Sequence, residues 1–348
     1  MKIGILTTQT PFVFGGAELH ALSLKTELIK RGFEAEIITM PFRSAPPDEL
    51  INSMFLWRSA DLSQSDAGAV DLAVCLKFPA YYAKHPNKVV WLLHQHREAY
   101  ELYNKRPGGL ADTKEGRYAR ELIIKNDYKY LSEAKRIFTN SKNVANRLKT
   151  YSLLDSTPLY HPPPSYDKLR CNDFNDYVIY ISRVDFIKRQ HILIEAIRYC
   201  KTPVKAIIAG SGNNEYLCIL TDLIEKYKLS DRVKLIGAVD EAQKIELYAK
   251  CLCVFFAGYD EDYGYVPLEA FFSKKALITL SDCGGALELV RDGVNGFIHD
   301  SQNPEDLAKS IDALYCDKHK AKTFGEKGFQ ALEQLNVNWD FIIDTLLR

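Results

Sequence analysis

The chain has 348 residues, of which 47% are hydrophobic and 26% charged, with 45 basic and 45 acidic side chains. These values exclude a disordered, collagen-like or fibrous protein, and the length favours two domains over one core. No run of 18 apolar residues occurs, and a strand pattern begins at the first residues without a signal-peptide cleavage region, so we expect a cytoplasmic protein.

The first half of the chain predicts an α/β doubly wound domain. The β-rich run MKIGILTT is followed by apolar residues at helical spacing as far as Gly32, and then by a second strand pattern, FEAEIITM. Further strands are predicted at VDLAVCLK, KVVWLLH and AKRIFTN, the last followed by a helix from Ser141. This alternation is typical of a parallel sheet with helices on both faces.

A proline cluster, YHPPPSYD at residues 160–167, predicts the domain junction, because it can continue neither a helix nor an inner strand. After it the alternation restarts. Strands are predicted in DYVIYISRV, VKAIIAGSG, VKLIGAV, LCVFFAG and ALITLS, and helices in QHILIEAIRYC, NNEYLCILTDLIEKYKL, EAQKIELYAK and VPLEAFFSK and from Ala286 and Pro304.

Two Rossmann-like domains that face each other across a cleft are the simplest architecture. We place the first at residues 1–164 and the second at 165–334. A C-terminal helix is expected in residues 335–348, and the first domain is one candidate for its packing partner.

The cysteines and the charge distribution give weaker indications. Eight cysteines show no paired CxxC spacing, and several lie in apolar segments, which favours buried thiols over a zinc site or a disulfide framework. Residues 1–170 carry 24 basic against 18 acidic side chains, and His94–Lys149 alone holds 13 against 7. An anionic acceptor or a membrane surface would explain this surplus, and a solvated helix face is the simpler explanation.

Two glycines begin the first predicted helix, where a dinucleotide-binding protein would show GxGxxG directly after the strand. At Gly15 and Gly16 the missing side chains would let a phosphate or a sugar approach backbone N–H groups. A loop that needs positive φ would account for the same two glycines, so both interpretations stay open here.

Cations and glycines follow the first two strands of the second half. Arg183 and Lys188 stand in the loop after the first of these strands, where two cations can neutralise a diphosphate. The next strand ends in AGSGNN, whose Gly210 and Gly212 would allow a ligand near the backbone.

The stretch GYDEDYGYVPLEA, residues 258–270, concentrates acidic residues after an apolar strand. Pro267 suits the first position of a helix, which places Glu269 in the first turn. There its carboxylate could accept two hydrogen bonds from a ribose or hexose diol, and Glu261 would bring a second carboxylate from the loop. The helix start would attract an anion through its first amides, those of Gly264, Tyr265 and Val266.

The acids of this stretch also fit simpler roles. Glu269 would suit the N3 position of an ordinary helix, and Asp260 and Asp262 would suit a solvated loop. Asp260-Glu261-Asp262 also matches the DxD pattern that holds a divalent metal and a nucleotide diphosphate. The metal interpretation leaves the two cations and the second Rossmann-like half without a role.

Taken together, the motifs resemble the retaining glycosyltransferases of family 4, which have the GT-B fold. The resemblance runs in family order over roughly residues 3–300. It is carried by Gly15-Gly16-Ala17-Glu18, Asn140-Ser141, HPPP, Ser182-Arg183 with Lys188, Gly210 and Gly212, EDYGYVPLEA, Gly284-Gly285 with Glu288, and RDGVNGF. Tyr263 stands where Phe is commoner in the family.

The resemblance implies a donor held mainly by the second domain and an acceptor held mainly by the first. The donor is a nucleoside-diphosphate sugar, and the acceptor is a glycan, a lipid-linked molecule or a small molecule. Arg183 and Lys188 would neutralise the diphosphate, Glu269 would bind the ribose, and Glu261 would contact hydroxyls of the transferred sugar. The amides of residues 264–266 would lie beside that sugar.

The same resemblance places Gly16 at the phosphate and a histidine near the reacting carbon. The segment WLLHQH offers His94 and His96, which would share a strand face, and His94 is favoured. A metal held by this HxH pair would need a third ligand, and none is in view.

The activity implied is that of a metal-independent hexosyltransferase that retains configuration, needs no cofactor and works in polysaccharide or glycoconjugate biosynthesis. No nucleic-acid partner is expected, and peripheral association with the inner face of a membrane is kept as an option. A sugar-nucleotide epimerase on the same scaffold and a non-catalytic sugar-nucleotide-binding subunit are the alternatives.

Overall fold

The computed structural model describes residues 1–105, 109–300 and 302–348. Its first half contains β1 (Lys2–Gln9), α1 (Gly16–Lys30), β2 (Glu34–Pro41), α2 (Pro47–Ser59), β3 (Gln64–Ser65), β4 (Gly68–Ala69), β5 (Leu72–Cys75), β6 (Lys88–Leu92), α3 (Lys114–Leu131), β7 (Arg136–Thr139), α4 (Lys142–Ser152) and β8 (Thr157–Pro158). Its second half contains β9 (Tyr177–Ile181), α5 (His191–Tyr199), β10 (Lys205–Ala209), α6 (Asn214–Lys226), β11 (Val233–Leu235), α7 (Glu241–Lys250), β12 (Cys253–Phe256), α8 (Tyr265–Phe272), β13 (Ala276–Leu280), β14 (Gly296–His299), α9 (Pro304–Cys316), α10 (Lys318–Gln334) and α11 (Trp339–Leu347).

The described residues form two compact units. The first comprises Met1–Pro164 together with Asn338–Arg348, and the second comprises Ser165–Val337. Each unit contains one six-stranded sheet whose paired strands are all parallel. The predicted α/β class is therefore confirmed.

The two sheets differ in strand order. The first sheet runs β2-β1-β5-β6-β7-β8, and the second runs β11-β10-β9-β12-β13-β14. In both sheets the first strand lies in the interior of the sheet. The next strands of the chain are added on one side of it, and the later strands on the other side. The order reverses between β1 and β5 in the first sheet and between β9 and β12 in the second. In doubly wound sheets a ligand binds outside the carboxyl ends of the strands at this switch point.

Continuous apolar segments make up the central strands. All residues of β5, β6, β12 and β13 are buried, because helices cover both faces of a parallel sheet. Such strands contain runs of apolar residues without alternation, and this is the signal by which the sequence predicts them.

Helices α2 and α3 are not among the predicted elements. The buried stripe of α3 includes Gly116 and Asp127 beside Ala119 and Ile123, so its apolar period is interrupted. Strands β8 and β14 and helix α10 are likewise absent from the prediction. The two strands are only 2 and 4 residues long.

Two sequence predictions are wrong in detail. The helix predicted from Ala286 is only a 3-10 turn, Gly285–Glu288, because Gly284 before it has φ of 63° and the chain turns again after it. The cysteines predicted as buried include two, Cys218 and Cys316, that are exposed on helices.

In the described ranges, no helix combines the length and the apolar character needed to cross a membrane.

Helix α11 packs on the first unit through a group of aromatic rings that we call the His20 cluster: His20, Trp91, His161 and Trp339. The ring of His20 lies 4.4 Å from that of Trp91 and 4.0 Å from that of His161, and Trp339 lies 6.3 Å from both Trp91 and His161. Outside the cluster, Arg136 donates to the carbonyl oxygens of residues 345 and 346 at 3.0 and 2.9 Å, which satisfies the last turn of α11.

The cluster buries a histidine in its neutral form. His20 is 1% exposed, and neither of its ring nitrogens has a hydrogen-bond partner among the described residues. Burial lowers the pKa of His20 from its ordinary value of 6.5 to about 3. The folded first unit therefore excludes a proton that the unfolded chain accepts.

We predict that acidification destabilises the first unit between pH 6.5 and about 3. In that window the unfolded chain binds a proton at residue 20 and the folded chain does not, so the free energy of unfolding falls by about 1.4 kcal/mol per pH unit. Substitution His20→Leu should reduce the total slope by this amount, because a leucine binds no proton, while the buried His161 and His96, whose pKa values are also lowered, keep their own contributions. Urea unfolding at a series of pH values measures it, and the exposed variant His319→Gln is the control. An unchanged slope in His20→Leu contradicts the prediction.

Candidate functional site

Four loops meet at the carboxyl edge of the second unit's sheet. They follow β9, β10, β12 and β13, so they lie around the point where the strand order reverses. Backbone hydrogen bonds join them in pairs: Tyr259 to Ile187 at 2.9 Å, Asp260 to Asp282 at 2.8 Å, Asn213 to Val184 at 2.8 Å and Gly285 to Glu261 at 2.8 Å. The predicted donor-binding residues of the second half stand on or beside these loops.

A guanidinium clamp fixes three of the four loops. Arg189, which is 7% exposed, donates from Nη1 and Nη2 to the two carboxylate oxygens of Asp282 at 2.7 and 2.6 Å. Its Nε donates to the carbonyl oxygen of Ala257 at 2.6 Å. The sequence prediction missed Arg189, because the partner carboxylate lies 93 residues away and no local spacing points to it.

Gly210 and Gly212 are required by the fold. Their φ angles are 144° and 158°, and an added Cβ would lie 1.8 Å from the carbonyl oxygen of Ser182 and 2.2 Å from that of Val184, respectively. The backbone after β10 therefore packs directly against the loop that carries Arg183. This close approach accounts for both glycines without a ligand.

Lys188 and Glu261 form an ion pair between the loops after β9 and β12. Each side chain is only 17% exposed. A Cβ at Gly258 would lie 2.9 Å from Cγ of Glu261, so glycine at that position leaves room for the acid. The structure thus brings together two predicted site residues that lie 73 positions apart in the sequence.

Arg183, unlike the members of this pair, is mostly exposed. Its side chain is 66% accessible, and its Nε lies 3.8 Å from the carboxylate of Asp185. Asp185 in turn accepts a hydrogen bond from the N–H of Ile187 at 3.1 Å. The charge of Arg183 is therefore presented to solvent, while that of Lys188 is balanced within the protein.

Helix α8 begins earlier than predicted. Gly264, with φ of 83°, is its N-cap, and Tyr265 is its first residue. Pro267 therefore occupies the third helical position, where its missing N–H costs no helical hydrogen bond. Glu269 falls in the second turn, so the predicted placement in the first turn is wrong, and the helix start does not explain how this charge is stabilised.

Two side chains from helix α7 hold the Glu269 carboxylate instead. Lys244 Nζ lies 2.8 Å from Oε1, and the hydroxyl of Tyr248 lies 2.9 Å from Oε2. Glu269 is 5% exposed. Burial acts to lower the pKa of Lys244, and the charges of Glu269 and Glu241 outweigh it, so this pKa is raised. Burial, with the Glu269 charge, also raises the pKa of Tyr248 well above its ordinary range.

The prediction from sequence missed both Lys244 and Tyr248. They lie four residues apart in EAQKIELYAK, which puts them on the same helix face, and this spacing is the signal that was available. Nothing local shows that this face meets a carboxylate 25 residues further along the chain.

In the first unit, the structure decides whether Gly15 and Gly16 are needed for a positive φ. Gly15 has φ of −152°, and Gly16 is the first residue of α1, so the positive-φ interpretation is wrong. A Cβ at Gly15 would contact only Glu18 Oε2, at 3.7 Å. The fold therefore does not require glycine at position 15.

The N–H of Gly15 has a partner within the chain. It donates to Glu18 Oε2 at 2.9 Å, and the other oxygen of Glu18 lies 3.1 Å from Lys77 Nζ. Lys77 follows β5, so this contact ties the start of α1 to the neighbouring loop of the same sheet edge. A phosphate that approached this N–H, as the sequence predicts, would share it with the Glu18 carboxylate.

His94 and His96 lie beyond the end of β6 and not on a strand face, so the prediction of a shared face is wrong. His96 is 8% exposed, its ring lies 5.3 Å from that of Phe78, and burial lowers its pKa to about 4. His94 is partly exposed, and its Nδ1 lies 2.7 Å from the carbonyl oxygen of Gln95. The two histidines therefore differ in access to solvent.

Across residues 1–105, 109–300 and 302–348, no group of three or more His, Cys, Asp or Glu side chains is arranged to hold a metal ion. Asp260 and Asp262 flank Glu261, whose carboxylate meets Lys188.

Residues 166–331, most of the second unit, match the family described as glycosyl transferases group 1. The matched part makes up just under half of the chain. It contains Arg183, Lys188, Glu261 and Glu269, together with the clamp residue Arg189.

Two glycosyltransferases illustrate how the chain relates to known proteins. Over 120 residues it is 32% identical to the alpha-1,3/1,6-mannosyltransferase ALG2 of Dictyostelium discoideum. The matched segment is 34% of this chain and only 28% of the length of that protein. Over 365 residues it is 23% identical to the uncharacterized glycosyltransferase MJ1607 of Methanocaldococcus jannaschii, covering 91% of this chain and 90% of that one.

A solved structure extends the likeness to the whole chain. The crystal structure of Anabaena Alr3699/HepE in complex with UDP and glucose matches with a TM-score of 0.71 at 21% identity, and the match covers 99% of each chain. At this identity the likeness shows the fold, and the predicted GT-B fold is confirmed. Assignment to family 4 within the glycosyltransferases stays a prediction.

We predict opposite results for two glycine variants. Gly210→Ala should lower the free energy of unfolding by more than about 2 kcal/mol, because its Cβ would clash with the Ser182 carbonyl at a φ that alanine avoids. Gly15→Ala should change it by less than about 0.5 kcal/mol, because the space around it is open. Urea unfolding measures both values. Equal losses in the two variants would show that the contrast between these loops is wrong.

We predict that Lys244→Met destabilises the second unit by about 3 kcal/mol, because it leaves the buried Glu269 carboxylate without its cation. Lys250→Met on the same helix is the matched control. Lys250 pairs with Glu246 at 3.1 Å on the surface, where such pairs contribute about 1 kcal/mol or less. Urea unfolding compares the two, and a loss in Lys244→Met no larger than in Lys250→Met contradicts the prediction.

Proposed function

We propose that the protein is a retaining glycosyltransferase that moves a hexose-type sugar from a nucleoside-diphosphate sugar to a hydroxyl group. The acceptor is a glycan, a lipid-linked molecule or a small molecule, and the reaction serves polysaccharide or glycoconjugate biosynthesis. One observation carries the proposal: the loops at the switch point of the second unit's sheet bring Lys188 to Glu261, beside the start of α8.

The cations suit a diphosphate. Arg183 is exposed to solvent, and Lys188, although paired with Glu261, has three N–H donors, so it can bind a phosphate oxygen without releasing the acid. The Arg189 clamp fixes the loop on which both residues stand. Two fixed cations reduce the charge that develops on a departing nucleoside diphosphate.

The buried carboxylate suits the ribose of the donor. A carboxylate has about four acceptor positions, and Lys244 and Tyr248 occupy one on each oxygen of Glu269. The remaining positions can accept hydrogen bonds from two neighbouring hydroxyls. We assign Glu261 to hydroxyls of the transferred sugar, and the amides of Gly264, Tyr265 and Val266 to the same sugar.

The first unit supplies the acceptor side in this proposal. We assign His94, the more exposed of the two histidines, to a place beside the reacting carbon, and Gly16 to the donor phosphate. Gly15 supports this assignment, since neither its backbone angle nor crowding explains the absence of a side chain. A ligand that approaches the backbone is the reason we favour.

The reaction we propose proceeds by departure of the nucleoside diphosphate through an oxocarbenium-like state. The acceptor hydroxyl attacks the same face of the sugar, and its proton passes to a phosphate oxygen of the donor. A new glycosidic C–O bond forms while the bond from the anomeric carbon to the phosphate oxygen breaks. Arg183 and Lys188 supply the positive charge that a divalent cation supplies in other enzymes, so we propose a metal-independent reaction without a cofactor.

We further propose that the protein acts in the cytoplasm, with peripheral association at the inner face of the membrane where the acceptor is lipid-linked. The surplus of basic residues in His94–Lys149 supports this placement, because basic surfaces are attracted to anionic lipids. No nucleic-acid partner is proposed.

We predict slow hydrolysis of one donor when the protein is mixed with uridine and guanosine diphosphate sugars in the presence of EDTA. Glu261→Gln should lower this rate at least tenfold, since it removes the charge that faces Lys188 and the sugar. Glu246→Gln, in an exposed ion pair on α7, is the matched control. Chromatography of released nucleoside diphosphate gives the rates. Loss of all turnover in EDTA, restored by Mg²⁺, would favour the metal-dependent DxD hypothesis.

We predict that UDP or GDP raises the thermal midpoint in proportion to ln(1 + [L]/Kd), and that Arg183→Met reduces this shift. Arg198→Met, on helix α5, is the control for loss of one exposed arginine. Differential scanning fluorimetry gives the midpoints. Binding without any donor turnover would identify a non-catalytic sugar-nucleotide-binding subunit, and the absence of a shift with both nucleotides would contradict the donor site.

A further inference from the structure

A buried carboxylate in the first unit accepts four hydrogen bonds from two segments, one before β6 and one after it. Asp127 on α3 is 0% exposed. Its Oδ1 accepts from the hydroxyls of Tyr81 at 2.9 Å and Tyr82 at 2.7 Å. Its Oδ2 accepts from Gln95 Nε2 at 2.8 Å and from the Tyr100 hydroxyl at 2.7 Å. The carboxylate thereby ties α3 to the segments before and after β6.

Gln95 is the member of this network that leads to the candidate site. Its amide nitrogen bridges Asp127 and Ser152, whose Oγ lies 3.0 Å away, and its side chain is buried. The next residue, His96, is also buried, with its ring beside that of Phe78. The peptide group between Gln95 and His96 is therefore held from both sides by buried side chains.

The carbonyl oxygen of that peptide group contacts the candidate histidine. It lies 2.7 Å from Nδ1 of His94. A carbonyl oxygen can only accept a hydrogen bond, so Nδ1 must carry the proton. In the neutral ring Nε2 is then the nitrogen without a proton, because the hydrogen bond at one nitrogen decides the tautomer.

We propose that Asp127 is a positioning residue that fixes, through Gln95, both the orientation and the tautomer of His94. His94 then accepts a hydrogen bond from a substrate hydroxyl at Nε2 and does not donate one there. This inference rests on the proposed function for the presence of a substrate at His94. The arrangement of the ring itself is independent of that function.

The two carboxylate oxygens of Asp127 have different partners, so substitutions of these partners should affect His94 differently. Tyr81 and Tyr82 meet Oδ1, whereas Gln95 meets Oδ2. Loss of a hydroxyl at Oδ1 removes a buried hydrogen bond but keeps the contact from Asp127 to Gln95. Loss of the Gln95 amide keeps the tyrosines in place and cuts the connection to His94.

The experiment uses the full-length chain labelled with ¹⁵N at histidine. Ring nitrogen signals of residue 94 are assigned by their absence in His94→Gln. The wild type should show the Nδ1–H tautomer. Gln95→Met, which keeps the length of the side chain, and Asp127→Asn should each give averaged signals of the two tautomers. Tyr81→Phe should keep the wild-type tautomer at comparable loss of stability.

Kinetics with UDP-glucose as the probe add a second measurement. In Gln95→Met we expect kcat for its hydrolysis to fall at least tenfold while KM stays within twofold, because the donor is assigned to the other unit. A merely structural role would instead lower the fraction of folded protein and leave the kcat of that fraction unchanged.

A retained Nδ1–H tautomer in folded Gln95→Met overturns the proposal, whether or not Asp127→Asn folds. Averaged signals in Tyr81→Phe also overturn it, because any damage to the network would then have the same effect. If the tautomer changes as expected while His94→Gln hydrolyses UDP-glucose at the wild-type rate, the positioning role stands and the proposed place of His94 at the reacting carbon is wrong.

Discussion

The contact between Arg189 and Asp282 is the interaction on which the second unit's candidate site depends. A buried guanidinium forms two hydrogen bonds to one carboxylate and a third to the Ala257 carbonyl, so three loops from different strands are held by a single planar group. Lys188 directly precedes Arg189 in the chain, and its position follows from the clamp. The carboxylate that Lys188 meets, that of Glu261, stands four residues after Ala257.

Both units place buried acidic and basic side chains in contact. Glu18 meets Lys77, Glu261 meets Lys188, and Glu269 meets Lys244. Each pair is largely buried, so each charge has a counterpart whose position the fold fixes.

Much of the fold could be predicted from the sequence, because buried parallel strands are uninterrupted apolar runs and the central strands of both sheets have this form. Helix α3 could not be recognised in the same way, since its inward face includes Asp127, a polar residue that the fold satisfies with three tyrosines and a glutamine. The 3-10 turn at residues 285–288 illustrates a second limit. Its length depends on a φ value at Gly284 that composition does not specify.

Site residues could be predicted from the sequence when they directly follow a strand. They could not be predicted when their role depends on a partner far away in the chain. Arg183 and Glu261 could be placed because they stand in loops after apolar runs. Lys244 and Tyr248 could not, since a helix face does not reveal which carboxylate it will meet. The helix start predicted at Pro267 was wrong because the helix begins two residues earlier, after Gly264 with its φ of 83°, and the sequence does not reveal this backbone angle.

The two chain segments of the first unit have a consequence for how the protein is made. Helix α11 is synthesised after the entire second unit, and its Trp339 completes the ring cluster around His20. During translation, part of the apolar surface of the first sheet therefore stays uncovered until the second unit has been synthesised. Residues 338–348 emerge only after the second unit, and a first sheet that has not yet packed against α11 exposes apolar surface to chaperones and to aggregation.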